Sequence, residues 1–210
     1  MAKAKVAEKT AIKDLNIGVV TINIEGTSEL VVERFSQKTR HMMEEKHKAG
    51  SQSKKGKEKE ARDFEADYNG ARYISSEGWD GVHCSAFRNA LVSACRLCGV
   101  QMTMAKKALF VVADGRDKDD KSELVRITGD PEMFIAPTRN ATGVADLRAR
   151  PRYFPWASAI RVEYDADMFS SADVVALMKR VGRQIGIGAG RYDSKMSCGL
   201  GWGCFRVVED

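Results

Sequence analysis

The stretch Ser170-Ser171-Ala172-Asp173-Val174-Val175-Ala176-Leu177-Met178-Lys179-Arg180-Val181-Gly182-Arg183-Gln184-Ile185-Gly186-Ile187-Gly188 decides how this chain is read. The two serines with Asp173 form a helix cap with acid in the first turn. Val174, Val175, Leu177, Met178, Val181 and Ile185 then recur at helical spacing, so a helix is expected over 171–185, stopping at Gly186. A second glycine cluster, Gly199-Leu200-Gly201-Trp202-Gly203, leads into Cys204 to Val208, which alternates like a terminal strand.

These glycines follow a helix. Dinucleotide-binding and P-loop glycines instead lie between a strand and a helix start, where phosphate meets the helix N-terminus, so cradles of those types are disfavoured. Six glycines within eighteen residues need either positive φ angles or a backbone that something approaches closely. One reading is a helix C-cap followed by a bulged hairpin. The other is a surface for a polyanion with stackable bases, because Arg191, Lys195 and Arg206 surround the glycines while Trp202 and Phe205 sit among them.

Upstream of this stretch, Ile17, Val19, Val20, Ile22 and Ile24 predict a central strand over 17–24, and Leu30 to Phe35 a hairpin or bulged return. Between Arg34 and Arg62 stand ten Lys/Arg against four Glu, with apolar periodicity nearly gone, so 36–65 reads as a basic insertion centred on Lys54, Lys55 and Lys57. Phe87, Ala90, Leu91, Ala94, Cys95 and Cys98 make one apolar stripe of a helix over 85–98 that Gly99 closes. Leu109–Ala113 is expected as a buried strand with 124–127 as its hairpin partner, and the acidic segment between them as a solvated turn. Residues 129–148 read as an irregular excursion, and 153–164 as the next strand. Arg148, Arg150 and Arg152 stand beside Tyr153, Phe154 and Trp156, an interleaving that suits phosphates and bases, or a strand with its rings in the core.

The order strand, helix, strand, strand, helix, strand makes the expected fold class α+β. It is a single ferredoxin-like domain over 1–210, an antiparallel sheet with two helices on one face and two long insertions, 36–65 and 129–148. The glycine-rich join between the last helix and last strand resembles that of the RAMP superfamily, the RNA-binding backbone and processing subunits of CRISPR effector complexes. Gly81-Val82-His83-Cys84-Ser85-Ala86-Phe87-Arg88-Asn89-Ala90-Leu91 is similar to the turn and helix of backbone subunits. The ending Arg183-Gln184-Ile185-Gly186-Ile187-Gly188 resembles that of short phage and prophage proteins. The resemblance implies that Gly186, Gly188, Arg191, Gly199, Gly201 and Gly203 lie near a nucleic-acid backbone, that the basic insertion works as a thumb, and that copies assemble along the strand.

Net charge is +5 and no apolar run reaches membrane-spanning length, so no membrane partner is expected. The N-terminus lacks a signal-peptide core, so a cytoplasmic location is expected, in the bacterial host if phage-encoded. Five cysteines fit reduced, buried thiols; Cys95 and Cys98 form a CxxC without a second pair, and neither metal nor cofactor is expected. The leading expectation is a non-catalytic binder of single-stranded RNA or DNA that associates with further copies of itself. Its expected contacts are Lys54, Lys55, Lys57, Arg148, Arg150, Arg152, Tyr153, Trp156, Gly186, Gly188, Arg191, Lys195, Gly199, Gly201, Trp202 and Gly203. A metal-independent endoribonuclease needs a general base, for which His41, His47 and His83 are available and His83 is the candidate. A third class is a phage-encoded protein that mimics or blocks a host ribonucleoprotein complex.

Overall fold

Alternation along β1 (Ile17–Gly26) sends Ile22 and Ile24 into the core and leaves Val19, Thr21 and Asn23 exposed. The computed structural model describes residues 13–34, 63–139, 145–193 and 199–209. Within them, β1 is central. It pairs antiparallel with β10 (Ala157–Asp165) on one side and β11 (Phe205–Val207) on the other, and β10 also pairs with β5 (Leu109–Val111). On β10, Ile160, Val162 and Tyr164 point inward while Ala159, Arg161 and Glu163 point out, so this four-stranded antiparallel sheet has one packed and one exposed face.

The packed face carries two helices. The one over Cys84–Leu97 buries Phe87, Ala90, Leu91, Ala94 and Cys95. Ser171–Arg180 buries Val174, Leu177 and Met178 and runs on through a π-helical turn, Val181–Ile185. Its start is fixed reciprocally: Asp173 N–H donates to Ser170 Oγ at 3.2 Å, and Ser170 N–H donates to Asp173 Oδ2 at 2.8 Å. With the short helices Phe64–Gly70 and Met102–Ala108, the α-helices among the described residues are, in chain order, α1 (64–70), α2 (84–97), α3 (102–108) and α4 (171–180). The chain is thus α+β, built on antiparallel sheets.

Two smaller sheets flank this body. β2 (Leu30–Val31), β9 (Ala145–Tyr153) and β8 (Pro131–Arg139) form one, in the order β2-β9-β8. β3 (Tyr73–Ile74), β4 (Asp80–His83), β7 (Glu123–Arg126) and β6 (Gly115–Arg116) form the other.

Several expectations are corrected here. Within 129–148 the described residues 131–139 and 145–148 are not irregular: β8 and β9 pair in register from Pro131–Tyr153 to Arg139–Ala145. Pro131 and Pro137 are tolerated on β8 because, among the described residues, it is an edge strand. Residues 124–127 do not return against 109–113; β7 pairs with β4 and β6. The run from Leu30 likewise pairs with β9 and not with β1. The strand expected over 153–164 is divided, because β9 ends at Tyr153 and the chain passes a cis Phe154–Pro155 bond before β10.

The acidic turn is not simply solvated either. The Asp117 side chain is 0% exposed and its Oδ1 lies 2.7 Å from Arg34 Nη2, while Asp119 and Asp120 approach the same guanidinium at 2.7 and 3.5 Å. Asp117 Oδ1 also accepts the Asp119 and Asp120 amides. One buried arginine therefore ties the end of the β2 segment to the turn between β6 and β7. Most of the expected insertion 36–65, with Lys54, Lys55, Lys57, His41 and His47, lies outside the described residues, as does Lys195.

Candidate nucleic-acid interface

The two glycine clusters cross each other in close contact. Ile187 N–H donates to Gly203 O at 3.1 Å, Gly201 N–H to Gly190 O at 3.1 Å, and Gly203 N–H to Glu29 O at 2.7 Å, while Ala189 N–H reaches Val31 O at 2.9 Å. A side chain has no room at most of these glycines. A Cβ at Gly186 would stand 2.9 Å from Trp202 O and one at Gly188 2.6 Å from Val31 O; at Gly201 it would overlap the Tyr192 hydroxyl, and at Gly203 the Ile187 carbonyl. Internal crossing of backbone thus accounts for Gly186, Gly188 and Gly203, whereas at Gly201 the obstacle is the tip of the exposed Tyr192 side chain. At Gly199 a Cβ would meet nothing within 4 Å, although its φ of +66° still favours glycine.

The arginine and aromatic cluster divides by strand face. Ala149, Pro151 and Tyr153 point inward, and Arg148, Arg150 and Arg152 point to the other face. The arginines meet carboxylates of the protein itself. Glu33 holds Arg148 Nη1 at 2.7 Å and Arg150 Nη2 at 2.8 Å, and Arg152 lies between Glu29 at 3.2 Å and Glu132 at 2.9 Å. A phosphate would have to displace these partners. Tyr153 and Trp156 are 1% and 3% exposed. Trp156 Nε1 donates to Ser28 O at 2.7 Å, and its ring packs edge-on to Phe205 at 6.0 Å. Neither ring offers a face to an external base, which corrects their assignment as contacts. Trp202 packs edge-on against Phe134 at 5.6 Å, and Arg152 covers Phe134 at 4.7 Å.

What the fold does bring together is a cleft of about 310 Å³ between the glycine crossing, the first half of α2 and β4. Val82, Ala90, Ile185 and Ile187 form its apolar floor, and His83, Asn89, Ser93, Arg191 and the arginine-paired Glu33 its polar rim. Gly188 and Ala189 present backbone to it. Arg191 Nη1 donates to Gly188 O at 2.9 Å, and among the described residues this guanidinium forms no ion pair. Asp193 stands exposed in the same lining.

His83 occupies the N-cap position of α2 without capping it through its side chain. Its Nδ1 lies 3.4 Å from Ser85 Oγ, and its ring meets Tyr73 edge-on at 5.4 Å. Of the expected contacts, Gly188 and Arg191 meet in this cleft, beside His83, the candidate general base. Asn89 and Ser93 had not been singled out; their signal was polar character one helical turn apart, beside the apolar stripe of α2.

Burial pushes the Cys84 and Cys95 thiols up to about 11, with Glu123 and Asp114 contributing at Cys84, and burial also raises Cys204. These thiols are therefore protonated at neutral pH and poor nucleophiles. Among the described residues no three His, Cys, Asp or Glu side chains group to hold a metal, and no helix is long and apolar enough to cross a membrane. No protein-family model matches this sequence, and a search of curated proteins returns no relative.

Proposed function

We propose that the protein binds single-stranded nucleic acid, with one nucleotide unit of the strand seated in the cleft between α2 and the glycine crossing. The observation that carries this reading is Arg191. It is a cation without a carboxylate partner among the described residues, at a cleft that combines an apolar floor with amide, hydroxyl and imidazole groups. Arg191 serves the phosphate, the floor takes the sugar or base, and Asn89 and Ser93 supply hydrogen bonds. The body is read as a ferredoxin-like split βαβ. In chain order its strands are β1, β5, β10 and β11, and their spatial order is fourth, first, third, second, with α2 and α4 in the two crossovers. That order also supports the proposed kinship with RAMP proteins.

Photo-cross-linking of the full chain to thiouridine-bearing RNA tests the placement. Adducts on peptides from 84–97 and 186–193 are the expected result; adducts confined to 131–153 would overturn it.

A second reading draws on one specific observation: His83 lines the same cleft as Arg191, with Nδ1 turned toward Ser85. That leaves its other nitrogen for proton transfer from a ribose hydroxyl while Arg191 steadies the phosphate. If the protein cleaves RNA, His83→Ala abolishes cleavage and leaves binding within about twofold. Cleavage by the variant at the wild-type rate would remove this reading and leave the binder.

A further inference from the structure

On the opposite, exposed side of the four-stranded sheet lies a cavity of about 630 Å³, within the roughly 300–1,000 Å³ of small-molecule sites. Asn23 and Ala159 of the sheet form its floor, and Trp79 of the turn between β3 and β4 and Arg126 of β7 stand over it. Trp79 is half-buried because its six-membered ring lies over two glycines. A Cβ at Gly115 would come within 2.6 Å of this ring, and one at Gly81 within 3.0 Å.

The ring is also held in place. Trp79 N–H donates to Ser75 Oγ at 3.2 Å, Ser75 N–H donates to Trp79 O at 2.9 Å, and Trp79 Nε1 donates to Glu77 at 3.0 Å. An indole seated on backbone at one face, restrained at its edge and open to a cavity has the properties of a stacking platform.

Three carboxylates also line the cavity, each with a partner of its own. Glu25 is engaged by Arg206 at 2.6 Å, Asp114 by Arg161 at 3.4 Å and by the Arg126 amide at 2.9 Å, and Glu77 by the indole. The exposed Arg126 side chain forms no ion pair among the described residues. A flat aromatic surface beside an unengaged guanidinium matches a nucleotide, ring for base and cation for phosphate.

We propose that this cavity is a second nucleotide site, in which a base of the bound strand stacks on Trp79 and the adjoining phosphate meets Arg126. The proposal rests on the reading of the protein as a single-strand binder and adds a contact on the other side of the sheet.

The test uses the full chain and single-stranded RNA and DNA oligonucleotides carrying 2-aminopurine. Stacking predicts quenching of the probe by wild type, loss of quenching in Trp79→Ala, and at least about a tenfold loss of affinity. Trp79→Phe is expected to fall between the two, and Arg126→Gln to retain quenching while lowering the slope of log affinity against log salt by about one. If Trp79→Ala fails to fold, the Phe and Gln variants decide, and wild-type behaviour of both overturns the proposal. Binding weakened by Arg191→Gln and untouched by the folded Trp79 and Arg126 variants removes this site alone. Absence of single-strand binding by wild type removes both sites, and binding of an Arg/Lys-rich peptide in its place assigns the cavity to a basic protein segment.

Discussion

Arg34→Met is expected to destabilise the protein by roughly 3–5 kcal/mol in chemical denaturation, because it strands a buried carboxylate. The Arg34 side chain is 5% exposed and Asp117 is fully buried, so neither charge is rehydrated when the other is removed. The pair is not ideally satisfied even in the native state, since Arg34 Nε and Asp117 Oδ2 have no hydrogen-bond partner among the described residues. Removing both charges together, as Arg34→Met with Asp117→Asn, is therefore expected to cost less than the sum of the two single changes. Strict additivity of the two would show that they do not act as a pair.

The same knot gives the stability a pH dependence. Burial opposes ionisation of Asp120, but the hydrogen bond donated by the Ser122 amide and attraction to Arg34 prevail and hold its carboxyl below the usual range. A depressed folded-state pKa stabilises the native protein fully above the unfolded value of about 3.9, and that contribution is lost as pH falls through the lower folded value. Acid should therefore weaken wild type more than Arg34→Met below about pH 4.

Gly203→Ala is the second large effect. A methyl group there would overlap the Ile187 carbonyl, in a residue whose φ is +68°. The left-handed conformation alone costs about 1–2 kcal/mol for alanine, and the two crossing backbones would have to separate as well. A loss of at least about 3 kcal/mol is expected. Gly199→Ala meets open space and should cost only the conformational share, about 1–2 kcal/mol. Equal losses at the two positions would refute the view that backbone crossing, rather than ligand approach, is why this loop is rich in glycine.

The periodic elements were legible because each has one face to bury. β1, α2, β10, α4 and β11 all lie within a few residues of where alternation or helical spacing places them. Strand partners were not legible. The apolar pair Leu124 and Val125 reads the same whether it pairs with β5 or with β4, and only the tertiary fold selects β4. At the site, the alternation of Arg148, Arg150 and Arg152 with inward-pointing neighbours could be read. Their neutralisation could not, because Glu29 and Glu33 lie more than a hundred residues upstream. The glycine clusters invited a ligand because a close backbone approach leaves the same mark in a sequence whether the approaching group belongs to a ligand or to the chain itself.

The most direct test of single-strand binding at the cleft is the affinity of nucleic-acid-free protein for fluorescent single-stranded RNA and DNA across a salt series, with Arg191→Gln and Asp193→Asn beside wild type. The account predicts log affinity falling with log salt, a slope smaller by about one in Arg191→Gln with weaker binding, and tighter binding in Asp193→Asn, which removes a negative charge from the same lining. Binding that is absent at low salt, or that neither substitution changes, would contradict it.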